Sequence, residues 1–342
     1  MKGVVWHGPE RMAVEEVPEP ALEAGHVVLR PEAAGICGSE VEGYLGRMGN
    51  RVPPLIMGHE FAGTVVEVGE GVDPEWIGRR AAVNPLISCG ECRLCRLGLT
   101  NLCWERALIG IQHPGAFAEY VKVPAGSLYP LPEGVSARTG ALAEPLANGV
   151  HAVRLGTEGR EPVGHAVVIG AGTIGIMVAQ AAVLAGISWV GVVEPHAGRR
   201  ELARRLGAHA VFGSAEEARG EVLEIAAGLG ADLVLDAVGA AETRRQAVEL
   251  LRPGGTAILV GLHDDETSVG FHGVVRNQVA LRGSYAYTGD DFGRALSWLV
   301  EGRAGIGELP PVQPLERGPE IFAGLVQGPA EQVKVFLAGS EG

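Results

Sequence analysis

Up to about residue 140 the chain carries short apolar runs closed by Gly or Pro, among them H-V-V-L-R-P from His26, F-A-G-T-V-V-E-V-G from Phe61 and F-A-E-Y-V-K-V-P from Phe117. Runs of this length, rich in β-branched residues and bounded by turn formers, predict strands. That first stretch is therefore expected to be mostly β, with few helices. From about 148 to 284 the pattern changes. A-V-V-I-G, T-I-G-I-M-V-A-Q-A-A-V-L-A, W-V-G-V-V-E, A-G-R-R-E-L-A-R-R-L-G-A, D-L-V-L-D-A-V-G and T-A-I-L-V-G alternate strand-like with helix-like segments. Such alternation builds a doubly wound parallel sheet with helices on both faces. The tail from about 285 holds an amphipathic segment, D-D-F-G-R-A-L-S-W-L-V-E, followed by Pro-rich connections. It is too short to fold alone and is expected to return to the first domain. The predicted fold class is α/β, a doubly wound parallel sheet beside a mostly β domain.

Composition narrows the partners. A length of 342 residues exceeds one ordinary hydrophobic core, and a hydrophobic fraction of 46% can fill two. A formal charge of -13 with no basic block argues against nucleic acid and anionic membranes, leaving a small molecule as the expected partner. Lysine occurs only at positions 2, 122 and 334, and no functional claim follows from that alone. The N-terminus lacks the apolar core and cleavage site of a signal peptide, so a cytoplasmic protein is expected. The uncharged stretch from Ala166 to Val193 is long enough to span a bilayer, but its glycines read as a strand, a turn and a buried helix instead.

Two groups of residues carry candidate chemistry. Cys89, Cys92, Cys95 and Cys103 stand in the spacing C-x2-C-x2-C-x7-C, which lets four thiolates surround one tetrahedral ion. Zinc in a closed structural site is the expected occupant, since the spacing does not fit the common ferredoxin patterns. The second group is H-A-V-V-I-G-A-G-T-I-G, which puts Gly170, Gly172, Thr173, Ile174 and Gly175 after a predicted strand and at a helix start. There a pyrophosphate would rest on helix N–H groups. The next strand ends in Glu194, near the spacing at which a carboxylate accepts hydrogen bonds from ribose hydroxyls. An acid there favours NAD over NADP, whereas Arg199 and Arg200 are placed to hold a phosphate instead. Cys37, in G-I-C-G-S, with His59 and Glu60, in G-H-E-F-A-G, and Glu144, in A-L-A-E-P-L-A-N-G, are residue types that bind zinc with an open position.

Through G-I-C-G-S, G-H-E-F-A-G-T-V-V-E-V-G, the four-cysteine lobe, E-P-L-A-N-G-V-H and G-A-G-T-I-G, the chain resembles the zinc-dependent medium-chain dehydrogenases of the alcohol dehydrogenase superfamily. The resemblance implies a GroES-like catalytic domain over 1–147 with a structural zinc lobe near 85–110, an NAD-binding Rossmann domain over 148–284, and 285–342 returning to the catalytic domain. It also implies one catalytic and one structural zinc per chain. Cys37 and His59 would bind the catalytic ion, with Glu144 at a position held by cysteine in liver-type enzymes and Glu60 able to approach the metal. That points to the sorbitol, butanediol and threonine dehydrogenase branch. The implied reaction is oxidation of an alcohol to a ketone or aldehyde, with hydride passing to the nicotinamide ring and Ser39 taking the alcohol proton. A homo-oligomer, dimer or tetramer, is implied as well.

Two departures from the family pattern bear on mechanism and substrate. Glu42 stands where many relatives carry a relay histidine, and Ala286 where sorbitol dehydrogenases often carry an arginine. A short diol or secondary alcohol is accordingly favoured over a long polyol, with threonine as the alternative. Tyr44, Phe117 and Tyr285 are expected to line the substrate pocket. The competing readings are a zinc-free quinone or enoyl reductase and a non-enzymatic nucleotide-binding protein.

Overall fold

The structure is a computed structural model that describes residues 1–159, 162–328 and 333–339. The chain divides into two compact units. Unit 1 comprises Met1–Glu144, Thr288–Glu301 and Glu308–Gly342, and unit 2 comprises Pro145–Tyr287 and Gly302–Gly307. The sequence reading gave all of 285–342 to the first domain, of which 329–332 and 340–342 lie outside the described residues. The short Gly302–Gly307 piece belongs with unit 2 because the Gln180 side chain donates to the Gly305 carbonyl (2.7 Å) and accepts from its N–H (2.9 Å).

Unit 1 is built on a seven-stranded sheet ordered Leu128–Pro130, Arg80–Val83, Glu60–Val68, His26–Gly35, Phe336–Ala338, Val312–Pro314, with Val121–Pro124 also pairing to His26–Gly35. The alternating residues read as strands fill one continuous core: Val27, Leu29, Phe61, Val65, Val121 and Val123 are all buried there. Two registers matter for function. Gly35 lies opposite Glu60, and Gly35 also lies opposite Phe336. Three neighbouring strands thereby have ends side by side at one end of the sheet.

Unit 2 is a six-stranded parallel sheet ordered Ala210–Phe212, Trp189–Val193, His165–Ile169, Ala231–Asp236, Leu251–Leu259, Ala280–Gly283. Numbered along the chain this is 3-2-1-4-5-6, the doubly wound order in which direction reverses at the first strand. Helix Thr173–Leu184 leaves that first strand, and its core-facing residues Ile176, Met177, Val178 and Ala182 are buried. The uncharged Ala166–Val193 stretch is thus strand, helix and strand. Among the described residues no helix is long and apolar enough to cross a membrane.

Candidate active site

The strand His26–Gly35 runs into Cys37, which caps the helix Gly38–Tyr44. The Gly35–Glu60 register lays His59 and Glu60 beside it. As a result one donor atom from each of Cys37, His59 and Glu60 lies within 4.8 Å of the others. His59 and Glu60 are 5% and 1% exposed. Glu60 Oε1 is buried and has no hydrogen-bond partner among the described residues. An orphaned carboxylate oxygen beside a thiol and an imidazole is a costly arrangement unless a cation completes it, so these residues fit zinc. Glu144 is buried too and its charge is felt by Lys334, but its carboxylate stands outside the three-donor group.

Three residues that sequence reading passed over hold these donors in place. Glu40, fully buried, accepts from the Cys37 N–H (3.0 Å), the Gly58 N–H (2.7 Å) and His59 Nδ1 (2.8 Å). A carboxylate on Nδ1 fixes the imidazole tautomer and leaves Nε2 for a metal. Lys334 is 2% exposed, donates to the Ile36 carbonyl (3.1 Å) and forms a short ion pair with Glu60 Oε2. Arg51 is 5% exposed, and its Nη2 donates to Ser39 Oγ (3.3 Å). Ser39 in turn donates to Cys37 Sγ (3.4 Å). Lys334 did leave a signal, as one of three lysines among 28 basic residues, and Glu40 stood in plain view three residues after Cys37.

Electrostatics at the centre follow from these contacts. Burial acts to raise the Glu40 carboxyl, but His59, the Cys37 N–H and Arg51 outweigh it and hold the group below the usual carboxylate range. Burial likewise acts to lower His59, yet the Glu40 charge and the bonds to Cys37 and Glu40 raise it well above 6.5. With zinc stripped, His59 therefore holds its second proton more tightly than a free imidazole does. Ligation through Nε2 must release that proton, so zinc affinity should strengthen as pH rises towards the raised His59 value. In Glu40→Gln the pH dependence should move to lower pH, and affinity at high pH should fall about 10–100-fold, the usual cost of losing such a partner. Chelator competition at several pH values reads both effects. Wild-type affinity that does not change with pH would contradict the assignment of His59 as a ligand.

The four-cysteine lobe forms a second centre in unit 1. The sulfur pairs Cys89–Cys95, Cys92–Cys95, Cys92–Cys103 and Cys103–Cys89 are 3.9, 3.5, 4.0 and 3.5 Å apart. The edge of a tetrahedron with zinc–sulfur bonds of about 2.3 Å is about 3.8 Å, so the spacing fits. Backbone N–H groups of Cys89, Cys92, Cys95 and Glu105 point at the sulfurs of Cys103, Cys89, Cys92 and Cys103. These are donors placed for thiolates. The Cys95 N–H draws the Cys92 thiol down to about 6, whereas desolvation and the neighbouring sulfurs push Cys95 up to about 12. Such splitting marks like charges competing in one place, which a dication relieves. All five cysteines are free thiols.

In unit 2 the predicted glycine loop takes the expected form. Gly170 has φ +94°, and a Cβ on Gly175 would lie 1.9 Å from the Gly170 carbonyl oxygen, so neither tolerates a side chain. Gly172, which precedes Thr173 at the helix start, faces open space where a Cβ would otherwise intrude. That cradle fits a pyrophosphate; Ile174 lies in the first turn. Glu194, 6% exposed, accepts from the Ala171 N–H (2.8 Å) and the His196 N–H (2.9 Å), which ties this carboxylate to the glycine loop. Arg200 is spent on the backbone, donating to the carbonyls of Glu194 (2.7 Å) and Pro195 (2.6 Å). Arg199 has its Nε buried.

Two of the three expected pocket aromatics are corrected. Phe117 is fully buried and Tyr44 is 6% exposed, both packed against Phe322 at ring distances of 5.9 and 5.6 Å. They belong to the core of unit 1, where they pack with Phe61, Val65 and Phe322 in one buried cluster. Tyr285 is exposed at 37%. Glu42 pairs with Arg47 at 3.4 Å.

Comparison with known proteins places these features in a lineage. Residues 23–133 match the alcohol dehydrogenase GroES-like domain, and residues 173–301 match the zinc-binding dehydrogenase domain. D-xylulose reductase A of Aspergillus niger is 32% identical over 89% of this chain and 87% of its own. L-threonine 3-dehydrogenase of Caldanaerobacter subterraneus subsp. tengcongensis is 35% identical over 77% of this chain and 75% of its own. Among solved structures, a zinc-binding dehydrogenase from Sinorhizobium meliloti 1021 bound to NADP superposes with a TM-score of 0.88 at 30% identity, covering 98% of each chain.

Proposed function

Because this chain belongs to the zinc-dependent medium-chain dehydrogenases of the alcohol dehydrogenase superfamily, we propose that it oxidises a secondary alcohol, diol or polyol to a ketone and passes the hydride to NAD. The observation that carries the reading is the Cys37, His59 and Glu60 group with its orphaned Glu60 oxygen and the Ser39 hydroxyl alongside. Zinc bound there would supply Lewis acidity that lets a hydroxyl deprotonate near neutral pH. Ser39 Oγ accepts the alcohol proton and releases its own. Glu40 keeps His59 in the ligating tautomer, and Lys334 holds one Glu60 oxygen while leaving the other for the metal. Glu144 contributes negative charge from just outside the donor group. The lobe at Cys89, Cys92, Cys95 and Cys103 holds a second, structural zinc.

The choice of NAD rests on Glu194. Its buried carboxylate repels a ribose phosphate, and Arg200 is already committed to carbonyls. The Sinorhizobium meliloti neighbour binds NADP, so the test must separate the two cofactors. Glu194→Ala should lower kcat/KM for NAD about 10–100-fold, the loss of hydrogen bonds to a charged group, and narrow the gap to NADP. Initial rates with both cofactors read this. An unchanged preference would remove Glu194 as the ribose reader.

Threonine is the second reading, favoured by the likeness to L-threonine 3-dehydrogenase and by the cationic Arg51 beside Ser39. Nicotinamide reduction across butane-2,3-diol, xylitol, sorbitol, simple secondary alcohols and threonine decides between them. Reduction with none would overturn the dehydrogenase reading.

A further inference from the structure

The strands that carry the Cys37 centre hold a second cluster of charges on the face turned away from the apolar core. Arg30 lies opposite Thr64, and Thr64 lies opposite Arg80, so these residues form one rung across three neighbouring strands. Residues opposite each other in antiparallel pairs share a face, whereas the adjacent Leu29, Val65 and Ala81 are buried in the core. Both arginines line a cavity of about 730 Å³ that unit 1 forms by itself. That volume lies within the range of small-molecule pockets. The other charged groups of the cavity are engaged or face solvent. Glu32 accepts from the Thr64 hydroxyl, Glu119 accepts from the Lys2 N–H (2.7 Å), and Arg138 donates to the carbonyls of Leu309 (3.0 Å) and Pro310 (3.1 Å). Glu19 is exposed. Arg30 and Arg80 are half-buried, and neither has a hydrogen-bond or ion-pair partner among the described residues. Two strand spacings of about 4.8 Å put their backbones about 10 Å apart, within reach of one ligand.

We propose that Arg30 and Arg80 form a binding site in unit 1 for a small organic anion whose carboxylate or phosphate oxygens are held by the two guanidinium forks. A guanidinium presents planar donors that match either group. The three acids of the cavity balance its three arginines in charge, so the ligand is recognised by donor geometry and not by overall potential. A bare phosphate ion would satisfy the forks but leave most of the cavity to water; an organic body that carries the anion fills it. The site goes beyond the dehydrogenase reading and does not depend on it. It is also separate from the metal centre, since Gly35, opposite Glu60, lies five residues beyond Arg30, a rise of about 16 Å along the strand.

The test is isothermal titration calorimetry on the zinc-loaded enzyme with saturating NADH at physiological ionic strength. Glycerol 2-phosphate probes for phosphate, glutarate for carboxylate, and glycerol is the neutral control. NADH occupies the glycine-loop cradle, and none of the probes carries a carbonyl for it to reduce. At least one anion is expected to bind at one site per chain with a Kd of about 1 mM or tighter, and glycerol should give no heat. Arg30→Gln and Arg80→Gln should each weaken that binding about 10-fold or more, the loss of charge-assisted hydrogen bonds. Cys37→Ser should leave it unchanged, which separates this site from the catalytic metal. A purely structural role of the arginines would lower the melting temperature of the free enzyme without moving the Kd. Binding of neither anion, an unchanged Kd in either glutamine variant, or loss of binding in Cys37→Ser would overturn the proposal and leave the dehydrogenase reading standing. Should one glutamine variant not fold, the other decides it.

Discussion

The Cys37→Ser enzyme is expected to lose at least about 1000-fold in kcat, because Lewis-acid stabilisation supplies several kcal/mol and each 1.36 kcal/mol is tenfold in rate. Serine keeps the shape of the side chain but not its thiolate. A hydroxyl at that point leaves His59 and Glu60 as the remaining members of the three-donor group, which weakens the metal and alters the charge that the alcohol meets. The fold should be indifferent. Cys37 is only half-buried, its N–H bond to Glu40 and the following helix are kept in the variant, and a serine oxygen can accept from Ser39 as the sulfur does. Melting temperature and NADH binding should therefore stay near wild type while turnover disappears. Full activity in the variant would remove Cys37 from the chemistry.

Cys103→Ala should show the opposite phenotype. The segment from Cys89 to Cys103 has no apolar core of its own: only Cys95, Asn101 and Cys103 are buried along it, while Leu97, Leu99 and Leu102 face solvent. What closes the lobe is the sulfur tetrahedron and the N–H groups aimed at it. Structural zinc in isolated fingers contributes about 10–16 kcal/mol. Even a third of that, lost in a chain of this size, would lower the melting temperature by roughly 5–7 °C. Metal content should fall by one zinc per chain. The remaining folded enzyme should retain turnover per active site, since Cys103 touches nothing at the Cys37 centre. Wild-type zinc content and stability in this variant would make the four-cysteine assignment wrong.

These two centres differ in how far the sequence announces them. The lobe is local: four ligands within fifteen residues leave little freedom, and the spacing alone implies the tetrahedron. The glycine loop is local as well, because strand, turn and helix follow one another and Gly170 and Gly175 are dictated by φ and by contact. The Cys37 centre is not local. Lys334 reaches the Ile36 carbonyl across 298 positions, and only the pairing of Phe336 with Gly35 brings it there. A strand register of that kind leaves no trace in short-range periodicity. Glu40 was hidden differently, since a carboxylate in the first turn of a helix reads as an ordinary dipole partner until its three donors are seen. Tyr44 and Phe117 erred in the other direction. Aromatic side chains near a reactive motif suggest a pocket, but packing against Phe322 claims both for the core.

The central claim is that alcohol oxidation requires zinc at Cys37, His59 and Glu60. The direct measurement is the rate of NADH formation from a secondary alcohol or diol by the intact enzyme, by the enzyme after the labile zinc is removed by a chelator under conditions that spare the four-cysteine lobe, and after zinc is returned. The account predicts loss of activity on removal and recovery that saturates at one zinc per chain. Undiminished turnover in enzyme shown to lack that zinc would contradict it and point to a zinc-free reductase on the same fold.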